Sequence, residues 1–407
     1  MNIKCLKCKG RGFCGRTICA QHAKLSSLAK SKEIHNKTEF SSQSPAPFIG
    51  WSGYPEVNVG LLSAPEKAKE AWKYDAPSHW SNNNYGVESL VDIRSSLLNS
   101  KFKSSVKQPQ KLTEVAREVG LASKPVEMDF NLEDRPRFRM QSDSVTAPTG
   151  PDGRLKKASL TSNPKVHTKV EKVFSDTDLK SAEGINYLFK SGFSENFLSK
   201  FLSVGASGIE KNRKLVPTRW SITATDDTLG KGLIKEISDY KEINDYTAYF
   251  GDYLGNYYLI LLFPGVWSYE LFETYMPKGG FENSEKIDYM TDHETHLGRK
   301  DYAHNCAGGY YSVRLAVLEK LKQMKRRASC LAIRVVTGDY SVPLGVWVTR
   351  EATRKALNNP PLNFSEKYLM IKYAKIIMQK KFTIPPDEII KDSVLLKENQ
   401  KTLTNFQ

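Results

Sequence analysis

Apolar positions along this chain change their spacing several times, and each spacing predicts an element. Leu90, Ile93, Leu97 and Leu98 fall at i, i+3, i+7 and i+8, which predicts a helix over 87–102. From Pro47 the stretch PFIGWSGYPEVNVG reads as short β runs punctuated by Gly and Pro. Residues 139–165 are poor in large apolar groups and predict a long loop. Ser175, with Asp178 three residues later, predicts a capped helix carrying Leu179, Ala182, Ile185, Tyr187 and Leu188. Trp220 to Thr225 alternates as a strand does, and YYLILLF over 257–263 predicts a buried strand. An amphipathic basic helix is expected over 313–327, on Leu315, Val317, Leu318 and Leu321. Strands over 330–336 and 343–349 and helices near 351–358 and 365–380 follow it.

Strands and helices mix without a βαβ rhythm and without an internal repeat. The expected class is therefore α+β, with a mixed-sheet core and packed helices. The expected organisation is a small finger over 1–24, a main α+β domain over 45–290, a C-terminal portion over 291–390 packed on that core, and a flexible tail over 391–407.

Charge changes this picture more than composition does. The 407 residues are 40% hydrophobic and 26% charged, enough apolar material for a sizeable core and too much for a disordered chain. Lys plus Arg is 60 against 45 Asp plus Glu, a formal net charge of +15. Such an excess points to a polyanionic partner, nucleic acid first and an anionic membrane surface second. Lys4, Lys7, Lys9, Arg11, Arg16, Lys24, Lys30 and Lys32 stand in the first 32 residues with no acidic side chain among them. The most apolar run, 257–267, is shorter than the roughly 20 residues of a membrane span and holds Pro264 and Gly265. The N-terminus lacks an apolar leader segment. Both point to a cytoplasmic protein without a membrane partner, and a nucleic-acid partner would place it on the nucleoid.

Cys5, Cys8, Cys14 and Cys19 cluster in that basic segment, while Cys306 and Cys330 stand alone. Clustered thiols in a reducing compartment read as metal ligands. A Cys-x2-Cys knuckle supplies two of the four ligands of tetrahedral zinc, and Gly10, Gly12 and Gly15 let so short a loop turn back. Zinc is the expected cofactor, with an iron–sulfur cluster as the other option. Lys7, Lys9, Arg11 and Arg16 around the knuckle are placed to contact phosphates, as are Lys325, Arg326 and Arg327 at the end of the basic helix.

Signals for catalysis are weaker. Asp226 and Asp227 after the 220–225 strand could hold a divalent cation beside Arg219, although capping of a following helix is the plainer reading. Gly230-Lys231-Gly232 lacks the spacing of a phosphate loop. His293, Glu294, His296, Asp301, His304 and Cys306 crowd TDHETHLGRKDYAHNC, where the plainer reading is a polar loop before the basic helix.

The chain ends in QKTLTNFQ, with Gln400, Leu403 and Phe406 three residues apart. In a single 3₁₀ turn Leu403 and Phe406 share one face. The pattern resembles the peptide that binds the DNA sliding clamp (PCNA), except that Gln407 stands where a second aromatic is often found. The finger, PFIGWSGYPEVNVG, KVFSDTDLK from Lys172, VPTRWSITATDD from Val216, GGYYSVRLAVLEKL from Gly308 and the tail together resemble one family, the archaeal DNA repair proteins of the NreA type. That resemblance implies DNA damage repair and clamp binding through the tail, with no catalytic mechanism attached. The residues alone leave two other readings open: a metal-dependent enzyme acting on nucleic acid or nucleotides, and an RNA-binding zinc protein.

Overall fold

A computed structural model describes residues 37–65, 70–107, 110–138, 147–276 and 288–397. The chain divides into two compact units, Met1–Leu229 and Gly230–Gln407.

The first unit is built on β1 (Glu39–Ser44), β2 (Pro47–Ile49), β3 (Glu56–Ser63), β4 (Leu98–Ser105), β5 (Val126–Leu132) and β6 (Asp152–Leu160). They form one sheet in the order β1-β5-β6-β4-β3-β2, with β4 and β6 parallel and the other pairs antiparallel. Alternation sorts its two faces. Val57, Val59, Leu61, Phe102, Met128, Phe130 and Leu155 point into the core, against Ala116 and Val119 of the helix Lys111–Leu121. Asn58, Lys101, Lys103 and Phe48 alternate out of it.

The second unit continues with β7 (Lys241–Glu242), β8 (Tyr246–Tyr253), β9 (Asn256–Phe263), β10 (Tyr269–Tyr275), β11 (Asp288–Glu294), β12 (Arg326–Arg327), β13 (Ser329–Val336) and β14 (Leu362–Phe364). Its main sheet runs β11-β10-β13-β9-β8-β14, again with one parallel pair, β10 and β13. β13 is buried along its whole length, as a central strand covered on both faces must be. Leu331, Ile333 and Val335 pack against Met370, Ala374, Met378 and Phe382 of the helix Lys367–Phe382. The opposite face meets the helices Ala307–Met324 and Trp347–Asn358.

That opposite face carries a set of ion pairs with buried carboxylates. Glu273 and Arg334 are cross-strand neighbours, with a guanidinium-to-carboxylate distance of 2.6 Å. Asn256 Oδ1 accepts from the Arg334 Nε at 3.1 Å and from a terminal nitrogen at 2.5 Å. Desolvation works against the Arg334 charge, but Glu273 together with Tyr258, Tyr275 and Tyr340 outweighs it, and the guanidinium is held above its usual range. Gly309 lies over this pair; a Cβ there would come within 2.5 Å of Glu273 Oε1. Arg314 reaches Glu294 at 2.8 Å, and the same carboxylate accepts from Trp267 Nε1 at 2.7 Å. Arg299 pairs with Asp292 at 2.8 Å, whose other oxygen accepts from the Cys306 amide.

The α+β class and the mixed sheets agree with the sequence, as do the buried strand at 257–263 and the strand at 330–336. Five local expectations fail. The helix expected over 87–102 ends at Ser96, because Leu98, Ser100, Phe102 and Ser104 alternate into β4. The loop expected over 139–165 contains β6, where Leu155 and Ala158 suffice as inward residues. Ser175 ends the helix Thr168–Ser175 rather than starting one; Asp176 Oδ1 instead accepts from the amides of Asp178 and Leu179 ahead of the helix Ser181–Lys190. The strand at 220–225 is part of the helix Thr218–Ile237. The strand at 343–349 gives way to a helix from Trp347, whose indole donates back to Leu344 O at 2.8 Å. Tertiary burial overrides β-branched composition in both of the last two segments. The finger at 1–24 and the clamp peptide at 400–406 lie outside the described residues. No helix among the described residues is long and apolar enough to cross a membrane.

Candidate nucleic-acid interface

Two separate pieces of sequence build one surface in the first unit. The chain leaves the edge strand β2, turns through GWSGYP and enters β3. Gly50 N donates to Asn58 O at 2.8 Å and Glu56 N to Gly53 O at 2.9 Å. Gly53 sits at φ +84°, and a Cβ there would come within 2.8 Å of Glu56 O, so the turn needs glycine. The second piece is VPTRW. Thr218 Oγ1 accepts from Ile49 N at 2.9 Å, which ties the first turn of the helix Thr218–Ile237 to β2. Pro217 O accepts from Trp220 N at 2.8 Å and Ser221 N at 2.9 Å, and proline is well suited to this helix start.

The result is a group of exposed aromatic rings. Trp51 is 55% exposed, Trp220 44%, Tyr54 42% and Phe48 41%. Tyr54 and Trp220 stand 5.2 Å apart between ring centres, tilted by 54°. Folded chains bury large apolar side chains where they can, so several exposed in one place mark an interaction surface. Four exposed cations accompany them. Lys103 is the cross-strand neighbour of Asn58. Lys107 and Lys214 flank a backbone row in which Val106 N donates to Pro55 O and Leu215 N to Val106 O. Arg219 immediately precedes Trp220. None of the four has an ion-pair partner among the described residues. Glu56 is the one acidic residue between 47 and 60. Cations left unpaired beside exposed rings attract phosphate and offer faces for stacking.

The residues singled out from sequence distribute differently. Arg219 belongs to this surface. Asp226 is fully buried two turns further along the same helix, about 10 Å up its axis at 1.5 Å per residue, and Asp227 is half-buried. They sit inside a helix rather than at a strand end, and Gly230-Lys231-Gly232 continues that helix. His293, His296 and His304 are exposed, while Asp292, Glu294 and Cys306 of the same stretch serve the buried contacts above. Among the described residues no group of three or more His, Cys, Asp or Glu side chains could hold a metal. At the end of the basic helix, Lys325 is a left-handed cap and Arg327 pairs with Glu242 at 3.1 Å. Arg326 donates to Lys325 O at 3.4 Å, and Lys322 is paired with Glu236 at 2.9 Å. Cys5, Cys8, Cys14 and Cys19, with Lys7, Lys9, Arg11 and Arg16, and the tail residues Gln400, Leu403 and Phe406, lie outside the described residues.

Sequence reasoning missed Phe48, Trp51, Tyr54 and Trp220. The available signal was local: aromatics placed in a Gly- and Pro-rich turn have little core to enter.

The family descriptions "Archaeal Nre, N-terminal" and "Archaeal Nre, C-terminal" match residues 13–282 and 294–406. The chain is 32% identical over 405 residues to the DNA repair protein NreB of Archaeoglobus fulgidus, covering 99% of this chain and 100% of that protein. It is 36% identical over 367 residues to the DNA repair protein NreA of the same organism, covering 89% and 90% of the two. The DNA repair protein NreA of Haloferax volcanii is 35% identical over 338 residues, 79% of each chain. No solved structure matches the chain. With both halves matched and full-length relatives above 30% identity, this chain belongs to the archaeal Nre family.

Proposed function

We propose that this protein is a DNA repair factor that holds DNA through a basic surface and a zinc finger and docks on the sliding clamp through its tail. The observation that carries the DNA contact is the surface of Phe48, Trp51, Tyr54 and Trp220 with four cations that have no ion-pair partner among the described residues. Three relatives named as DNA repair proteins support the process. Such a protein works in the cytoplasm, on the nucleoid. The finger's Lys7, Lys9, Arg11 and Arg16 add phosphate contacts, and Lys325 and Arg326 do so on the second unit. The test is affinity for a labelled oligonucleotide. Lys214→Glu with Arg219→Glu should weaken binding at least about tenfold, as reversed charges at phosphate contacts do. Unchanged affinity would move the DNA contact elsewhere.

Cys5, Cys8, Cys14 and Cys19 suit one zinc by their donor chemistry: four thiolates satisfy its tetrahedral preference with none left over. The metal supplies a cross-link that so small a segment, poor in apolar residues, needs in order to fold. Metal analysis of purified protein should give about one zinc per chain by the four-ligand rule. Cys8→Ser with Cys14→Ser should remove it, and zinc retained by that variant would take the finger out of the account.

For the clamp, Leu403 and Phe406 enter an apolar pocket and Gln400 hydrogen-bonds at its rim. Hot-spot truncations commonly cost tenfold or more, so Phe406→Ala should weaken clamp binding by at least about tenfold. Calorimetric titration of the clamp with both proteins decides it; equal affinities would leave the tail without a docking role.

A further inference from the structure

We infer that the surface around Trp51 and Trp220 binds single-stranded DNA, by stacking unpaired bases on its rings. This rests on the proposed DNA contact and names the form of DNA that the contact takes. A duplex hides base faces inside its stack and presents phosphates outside and base edges in its grooves. Cations alone would suffice to hold its backbone. Exposed rings add nothing to such a contact unless they wedge between base steps, whereas every unpaired base offers a face.

The surface has both parts that a single strand requires. Trp51 and Tyr54 come from one glycine-dependent turn, and Trp220 from a helix tied to the neighbouring strand by the Thr218–Ile49 hydrogen bond. Hydrogen bonds from backbone amides, within the turn and from Ile49 N to Thr218 Oγ1, hold the segments that carry these three rings. Holding them so lowers the ordering cost at binding. The Tyr54–Trp220 separation of 5.2 Å at 54° gives two ring faces that are not collapsed on each other as a parallel stack. Lys103, Lys107, Lys214 and Arg219 border them and carry no competing carboxylate among the described residues. A flexible single strand can pass from one phosphate contact to the next while its bases turn toward the rings. A rigid duplex cannot.

The experiment is fluorescence anisotropy with full-length protein, a labelled 20-nucleotide oligo(dT), the 20-base-pair duplex of a mixed sequence, and oligo(U) as competitor. Wild-type protein should prefer the single strand. Stacking is worth about 1–3 kcal/mol per base, so Trp51→Ala and Trp220→Ala should each weaken oligo(dT) binding at least fivefold. Duplex affinity should stay within about twofold, and Trp220→Phe should retain most of the single-strand affinity because a ring face remains. Unfolding curves matching wild type show that the variants are folded, as expected for side chains this exposed. Equal losses on single strand and duplex would overturn the inference and leave the DNA contact standing. Alanine variants that lose nothing, with the Lys214→Glu and Arg219→Glu protein still weakened, would do the same. No loss from any of these changes would overturn both. Tighter binding of oligo(U) than of oligo(dT) would overturn the assignment to DNA.

Discussion

Replacing Arg334 by methionine, with Glu273 left in place, should lower the stability of this protein by about 3–5 kcal/mol, the usual cost of leaving one partner of a buried pair behind. Both side chains are almost wholly buried, at 7% and 4% exposure. Arg334 stands in the fully buried β13, where water cannot replace its partners. The lost interactions are the 2.6 Å contact to Glu273 and the two hydrogen bonds to Asn256. Glu273 would then be left buried beneath Gly309 without its guanidinium partner. Adding Glu273→Leu to Arg334→Met should restore much of the loss, because two apolar groups need no pairing. Urea unfolding followed by circular dichroism measures both proteins. A single variant as stable as wild type would mean that water reaches the pair.

DNA affinity should fall about fiftyfold between 50 and 200 mM salt. Each phosphate neutralised on a single strand contributes about 0.7 to the slope of log affinity against log salt. Four contacts, from Lys103, Lys107, Lys214 and Arg219, give a slope of about −2.8, and a fourfold rise in salt then costs about fiftyfold. The eight basic residues before position 33 can only steepen this. Reversing Lys214 and Arg219 should therefore flatten the slope as well as lower the affinity. A salt response already flat in the unaltered protein would rule out nucleic acid as its main ligand.

The surface proposed to make these contacts is half-legible in the sequence. PFIGWSGYPEVNVG and VPTRW stood out as segments, and Arg219 as a charged candidate, but neither segment announced the other. Asp226 and Asp227 lie within a helix rather than at a strand end. Adjacent carboxylates after an alternating run resemble a strand end, whereas the helix Thr218–Ile237 buries Asp226 and half-buries Asp227. The histidine-rich stretch before the basic helix held real polar chemistry of a structural kind. Its Asp292 and Glu294 fasten Arg299 and Arg314, and its histidines face water.

By itself the sequence determined what depends on composition or on one short window. The +15 charge, the four-cysteine spacing, the tail pattern, and the long apolar runs that became β9 and β13 are all of this kind. A run of seven or eight buried residues declares itself whatever lies around it. Only the tertiary structure decided between helix and strand at 220–225 and 347–349, where local preference is weak and the packed face settles the matter. It alone brought Glu273 to Arg334 across 61 residues and Thr218 to Ile49 across 169. Such contacts depend on which strands become neighbours. That choice minimises exposed apolar surface over the whole unit, and no local window of the chain contains it.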